Sequence, residues 1–227
     1  MSRLDNKVAF ITGGSRGMGA AIALKLAQDG ADIAITYTSA AAKADETVKA
    51  IEKLGRRALA IKADNLDVKA LENAVNEAHA KLGRLDILVN NAGVYTMDTV
   101  DQLELAEFDR VMSIHVRASF VASKAAAVHM GAGGRIISIG SNLAEIVPSA
   151  GLIAYSTSKA ALIGLTKSAC PGSWPTGNHS QYRPPRFYRY GYESRQWRPC
   201  RSPTRPNGDP EIWRSEGYCR TGSLSRR

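Results

Sequence analysis

Tyr155 and Lys159 stand four residues apart in Tyr155-Ser156-Thr157-Ser158-Lys159, a spacing that puts both side chains on one face of a helix. A phenol ordinarily titrates near ~10, too high to exchange protons readily at neutral pH, and a neighbouring ammonium favours its ionised form. The pair is therefore a candidate acid/base device. Taken alone, it reads more simply as a core tyrosine at a helix start beside a solvated charge.

A second group with chemical potential lies near the start, in Thr12-Gly13-Gly14-Ser15-Arg16-Gly17-Met18-Gly19. Gly13 lets the chain turn out of a strand, and Gly17 and Gly19 let backbone and helix approach a pyrophosphate closely. The helix N-terminus beyond them presents free N–H groups and a partial positive charge to phosphates. A glycine-rich loop by itself is as often a structural turn. The spacing Gly-x-x-x-Gly-x-Gly between a strand and a helix favours the phosphate reading.

The elements that must hold these groups are legible up to about Ala169. Short apolar runs at 8–12, 32–36, 58–63, 87–90 and 135–139 predict buried strands, and amphipathic stretches at 17–29, 41–54, 68–82, 106–129 and 154–168 predict helices. Their alternation implies βαβ units around a parallel sheet covered on both faces. Right-handed crossovers then give an α/β, Rossmann-type doubly wound arrangement. The sheet is expected to be truncated after the fifth strand and its following helix.

Past Ala169 the composition changes. Eight of the nine prolines and all three tryptophans fall in residues 170–227, as do Cys170, Cys200 and Cys219. The cysteines lack metal-ligand spacing, so no metal site is expected. The net charge of +9 belongs mainly to this segment, which holds 11 arginines and 4 acids against 19 basic and 17 acidic residues in 1–169. With few aliphatic residues it cannot fill much core and is expected to be poorly ordered. No run approaches the ~18 apolar residues of a membrane span, and neither signal peptide nor span is read. A cytoplasmic protein is expected.

The glycine loop resembles the TGxxxGxG fingerprint of the short-chain dehydrogenase/reductase family, and three further features of that family occur in order. Asn90-Asn91-Ala92-Gly93 closes the fourth strand where the family has its NNAG motif, Asp64 follows the third strand, and Tyr155 to Lys159 matches YxxxK. The resemblance covers residues 5–169 and extends in tone to NADP(H)-dependent 3-oxoacyl-carrier-protein reductases. It implies a hydride exchange between a nicotinamide cofactor and a carbonyl or secondary alcohol. Tyr155 would be the general acid/base, and Lys159 would assist it and hold the nicotinamide ribose. Ser141, fourteen residues before Tyr155, would donate to the substrate oxygen, with Ser138 the less favoured serine. The cofactor would be held by Gly13, Ser15, Arg16, Gly17, Met18, Gly19, Tyr37, Asp64, Asn91, Ala92 and Gly93, together with Tyr155 and Lys159.

Two positions qualify the resemblance. The second strand runs into Tyr37-Thr38-Ser39 with no carboxylate, where an acid would bind ribose hydroxyls and repel a 2′-phosphate. Arg16 can pair with that phosphate, so NADP(H) is favoured over NAD(H). His115 stands where the family usually has an asparagine that supports a proton-relaying water. It is read as helix packing with partial loss of that relay, a second catalytic base being the alternative.

The family's sixth strand, PG turn, substrate-covering helix and seventh strand are not legible in 170–227, which also leaves the family's homotetramer in doubt. Each of the three tryptophans there, read one nucleotide later, can become glycine. Codons exist for Ser173 through Pro185 whose shifted reading is AGPRGITVNIVHP, continuing as GSTDTDMNP, with DIAGLVAFLA readable later. This compatibility raises a single-base shift near residues 168–170, with a catalytically impaired product as the alternative to an active oxidoreductase. The rival is an arginine-rich tail that binds nucleic acid, which the near-neutral body disfavours.

Overall fold

Apolar residues on both sides of each central strand dictate the layers. In the computed structural model, which describes residues 3–169 and the backbone of His179–Arg183, Val8 and Phe10 of β1 (Val8–Ile11) face one core while Ala9 and Ile11 face another. This two-residue period makes β1 a buried central strand. It pairs in parallel with β2 (Asp32–Tyr37) and β4 (Ile87–Asn90). Outside these lie β3 (Ala58–Lys62) and β5 (Arg135–Ile139), giving the order β3-β2-β1-β4-β5. All described residues fall within one compact unit.

The helices cover the two faces as the patterning requires. On one face α1 (Gly17–Gln28) and α2 (Ala41–Glu52) bury Ala23, Ala27, Ala44 and Ile51 against Ile33 and Ile35. On the other, α3 (Val68–Leu82) buries Leu71, Val75 and Leu82 beside the small residues Ala118, Ala122 and Ala126 of a long helix. Helix α3 is delimited by chemistry visible in the sequence: Asp67 accepts a hydrogen bond from the Ala70 amide, and Gly83 takes the left-handed conformation at φ +86°. Asp86, just before β4, holds the sheet's N-terminal edge by accepting from Lys7 Nζ at 3.0 Å, the Val8 amide at 3.0 Å and Arg84 at 2.7 Å. Burial works against its charge, but these donors outweigh it and keep the carboxyl below its ordinary range.

Two departures from the sequence reading bear on the site. The helix predicted over 106–129 is present but not α-helical throughout: α4 (Leu105–Met112) passes through a wide π-helical turn, Ser113–Arg117, into α5 (Ala118–His129). The turn is accompanied by side-chain donors on its carbonyls, Asn65 Nδ2 to Ile114 O at 3.0 Å and Ser119 Oγ to His115 O at 2.6 Å. Such bulges often mark functional positions. After α6 (Ile153–Ser168) the sheet does not stop. A sixth strand, β6 (His179–Arg183), pairs in parallel with β5 from Arg135↔His179 to Ile139↔Arg183. His-Ser-Gln-Tyr-Arg carries no apolar alternation, whereas parallel pairing uses backbone groups that every such residue has. The other expectations for 170–227, including poor order, the three cysteines, the basic tail and the altered frame, lie outside the described residues.

Candidate active site

The order of the sheet reverses direction at β1, so the loops after β1 and β4 part and leave a crevice at their C-terminal ends. The glycine loop is built into that crevice by its neighbours. The Gly13 amide donates to Thr36 Oγ at 3.0 Å and the Gly14 amide to Thr36 O at 3.0 Å, tying the loop to β2. Thr12 Oγ accepts from the Asn91 and Ala92 amides at 2.9 and 3.0 Å. Asn91 Nδ2 donates to Thr12 O at 2.9 Å and Gly13 O at 3.2 Å. The loops after β1 and β4 are thus cross-linked into one wall.

That wall encloses a cavity of about 520 Å³, within the size range of small-molecule sites. Gly13, Ser15, Arg16, Gly17, Met18 and Gly19 line it from the glycine loop and α1; Tyr37 lines it from the end of β2, Asp64 from the end of β3, and Asn91, Ala92 and Gly93 from the end of β4. Every residue assigned to the cofactor on sequence grounds, apart from Tyr155 and Lys159, therefore reaches one cavity. The first turn of α1 has no side-chain cap, so its leading N–H groups stay available to an anion.

The glycines serve partly different ends from those the motif implies. Gly17, at φ +56°, has open space where a Cβ would point. A Cβ on Gly19 would instead meet the Gly13 carbonyl oxygen and lie 2.6 Å from Asn91 Nδ2. Gly19 is required by the loop's own closure as much as by any ligand.

Tyr155, Lys159 and Ser141 come from α6 and the segment after β5. Lys159 is buried, and its Nζ donates to Ile139 O at 3.0 Å, at the end of β5. Its ammonium stands 5.7 Å from the centre of the Tyr155 ring. Burial lowers the Lys159 pKa to about 8. Ser141, also buried, opens a short 3₁₀ turn, Asn142–Ala144, that packs against α6; its Oγ accepts from the Leu143 amide at 3.1 Å. Ser138 is buried within β5.

His115 lies between the two groups of residues. Its Nε2 accepts from the Val94 amide at 2.9 Å, its Nδ1 lies 2.7 Å from Ser158 Oγ, and its ring meets that of Tyr155 edge-on at 5.8 Å. Both nitrogens are engaged within the protein. Burial first, then the charge of Lys159, lowers its pKa to about 3. The second-base alternative meets a ring whose nitrogens are already held by Val94 and Ser158, in a buried setting that disfavours its protonated form. The ring packs against that of Tyr155 within the helix layer.

Three residues at the site escaped the sequence reading. Tyr95 sets its ring against Tyr155 at 5.1 Å and 63°; no pattern in Gly93-Val94-Tyr95-Thr96-Met97 singles it out in the sequence. Arg110 and Asn65 both line the cavity, Arg110 held by Glu107 through two bonds of 2.7 Å. Among the described residues there is no cluster of three or more metal-ligating side chains, and no helix is long and apolar enough to cross a membrane.

Residues 7–175 match the family described as short chain dehydrogenase. A hydroxynaphthalene reductase of Aspergillus fumigatus is 41% identical over 165 residues, covering 72% of this chain and 60% of that protein. An oxidoreductase of Methylorubrum extorquens is 40% identical over 162 residues, covering 71% of this chain and 65% of its own. This chain thus spans 60–65% of the length of these curated relatives. Among solved structures, a short chain dehydrogenase from Burkholderia cenocepacia in complex with NADP superimposes with a TM-score of 0.76 at 53% identity, over 78% of this chain and 72% of that one. A blue fluorescent protein from a metagenomic library, in complex with NADPH, gives 0.71 at 50% identity, over 73% and 68%.

Proposed function

Because the chain belongs to the short-chain dehydrogenase family, we propose that it is an oxidoreductase transferring a hydride between NADP(H) and a carbonyl or secondary alcohol. The observation that carries this reading is one continuous juxtaposition. The cavity lined by the glycine loop is also lined by Gly93, a Cβ on Gly93 would lie 2.8 Å from His115 Nε2, and the His115 ring meets that of Tyr155 edge-on. The residues fit a dinucleotide: an uncapped helix start for phosphates, Asp64 at the end of β3 for the adenine end, and Arg16, which lines the same cavity as Thr38 and Ser39, for a 2′-phosphate. When bound, the nicotinamide would supply or accept the hydride.

The chain's own residues manage the proton. Tyr155 gives its phenolic proton to the substrate oxygen as that oxygen gains charge, and takes it back in the reverse direction. Lys159, held by Ile139 O and shielded from water, stabilises negative charge on the Tyr155 oxygen. Ser141 donates to the same substrate oxygen and so orients it. The partners are small molecules rather than nucleic acid, and the place of action is the cytoplasm.

The test is direct. NADPH fluorescence should change on adding the full chain, and an activated ketone or diketone should be reduced; no change and no reduction would remove the reading. Arg16→Ala should raise KM for NADPH by about 10–100-fold, the worth of a charge-assisted bond, while KM for NADH moves little. Equal effects on both cofactors would assign Arg16 to the loop rather than to the 2′-phosphate.

A second reading, a catalytically impaired product of a shifted reading frame, draws on one observation. Strand β6 covers His179–Arg183, the stretch whose shifted reading is TVNIV, a β-branched run suited to a buried sixth strand. Sequencing the coding DNA across residues 165–186 should show a one-base shift relative to the family's frame. Codons incompatible with the shifted reading would end it.

A further inference from the structure

We infer that His115 is a positioning residue that couples the loop after β4 to the helix carrying Tyr155 and Lys159, through a hydrogen-bonded line from Val94 N–H to His115, on to Ser158, and on to the Tyr155 carbonyl. The coupling rests on the functional reading above; the line itself does not.

The direction of each bond is fixed by chemistry. A backbone amide can only donate, so His115 Nε2, 2.9 Å from the Val94 nitrogen, carries no proton. In a neutral imidazole the proton then sits on Nδ1, which donates to Ser158 Oγ at 2.7 Å. Ser158 Oγ donates in turn to Tyr155 O at 2.7 Å. The ring is only 1% exposed. Around it stand Tyr155 and Lys159 from α6 and Arg110 from α4, the two cations both opposing a positive charge on the imidazole. The line is therefore held in one polarity while the ring stays neutral.

The space for this ring is provided by a specific neighbour. A Cβ on Gly93 would lie 2.8 Å from His115 Nε2, so the glycine of Asn91-Ala92-Gly93 leaves room for the imidazole as well as lining the cavity. At one end the line restrains the residue next to Gly93; at the other it restrains the first turns of α6, where Lys159 reaches back to Ile139 O. Loosening the Val94 end should disturb the cofactor side, and loosening the Ser158 end should disturb the proton-handling side.

Two variants separate the ends, because an asparagine amide falls near the place of Nδ1 and a glutamine amide near that of Nε2. In the full chain, His115→Asn should raise KM for NADPH about tenfold with a smaller change in kcat, and His115→Gln should lower kcat about tenfold with KM nearly kept, each reflecting one lost hydrogen bond at a desolvated site. His115→Phe keeps the ring volume and should show both effects. Nitrogen NMR of the unmodified, ¹⁵N-histidine-labelled chain should show His115 protonated on Nδ1 only, unchanged from pH 5 to 8. A ring that titrates in that range, or carries its proton on Nε2, overturns the line. Identical effects of the Asn and Gln variants on KM and kcat overturn the coupling. If the unmodified chain bound no NADPH, the functional reading and the coupling would fall, while the ring spectrum would still decide the hydrogen-bonded line.

Discussion

Tyr155→Phe is expected to lower kcat for ketone reduction by about 10²–10⁴-fold, the range for loss of a positioned general acid, with NADPH affinity and Tm nearly unchanged. The ring would keep its edge contacts with Tyr95 and His115, so only the phenolic oxygen is removed. The pH profile adds a second readout. With its pKa lowered to about 8 by burial, Lys159 is charged below that pH and loses its charge as the pH rises through it. Reduction should therefore fall above about pH 8, as the cation that favours negative charge on the Tyr155 oxygen disappears. In Lys159→Met the rate should be low at every pH and this limb should vanish. A Tyr155→Phe variant retaining more than a tenth of the activity would transfer the proton role elsewhere.

Gly19→Ala is expected to raise the NADPH dissociation constant about a hundredfold and to lower Tm by roughly 2–10 °C, the effect of about 1–3 kcal/mol of overpacking in a domain of this size. The new methyl group would have to displace the Gly13 carbonyl and Asn91 Nδ2, and Asn91 is already pinned by its bonds to Thr12 O and Gly13 O. Relief requires the glycine loop to part from the loop after β4, which opens the wall of the cavity. Gly17→Ala is the contrasting case. It meets no neighbouring atom but must adopt φ +56°, a strain of about 1–2 kcal/mol, so it should cost stability without parting the two loops. Fluorescence titration and thermal unfolding of the two variants side by side measure the difference. Equal NADPH affinities would show that parting the two loops does not govern cofactor binding.

The five central strands and the flanking helices could be read from the chain because a parallel sheet covered on both faces demands unbroken apolar runs, and each helix demands its own stripe. Val8–Ile11 and Ile87–Asn90 carry that demand in four residues each. The glycine loop, Asn91-Ala92-Gly93 and the Tyr155–Lys159 pair were legible for a related reason: their constraints act within a few residues, so spacing records them. The placement of every loop residue assigned to the cofactor around a single cavity follows from that local grammar plus the switch point of the sheet.

What the tertiary structure alone decided concerns contacts between distant parts of the chain. A carbonyl of the π-helical turn at Ser113–Arg117 accepts from Asn65, 49 residues away. Strand β6 forms by backbone pairing with β5, which leaves no apolar signature. Gly19 acquires, beside its phosphate-binding reason, a steric one set by the Gly13 carbonyl and Asn91. His115 shows the division most sharply. By the family resemblance it stands where an asparagine is usual, replaced by a larger, basic side chain. Its partners, Val94 at a separation of 21 residues and Ser158 at 43, occupy both nitrogens, and burial disfavours the charge. No local pattern encodes that outcome, because the ionisation of a side chain is set by whatever the fold packs around it.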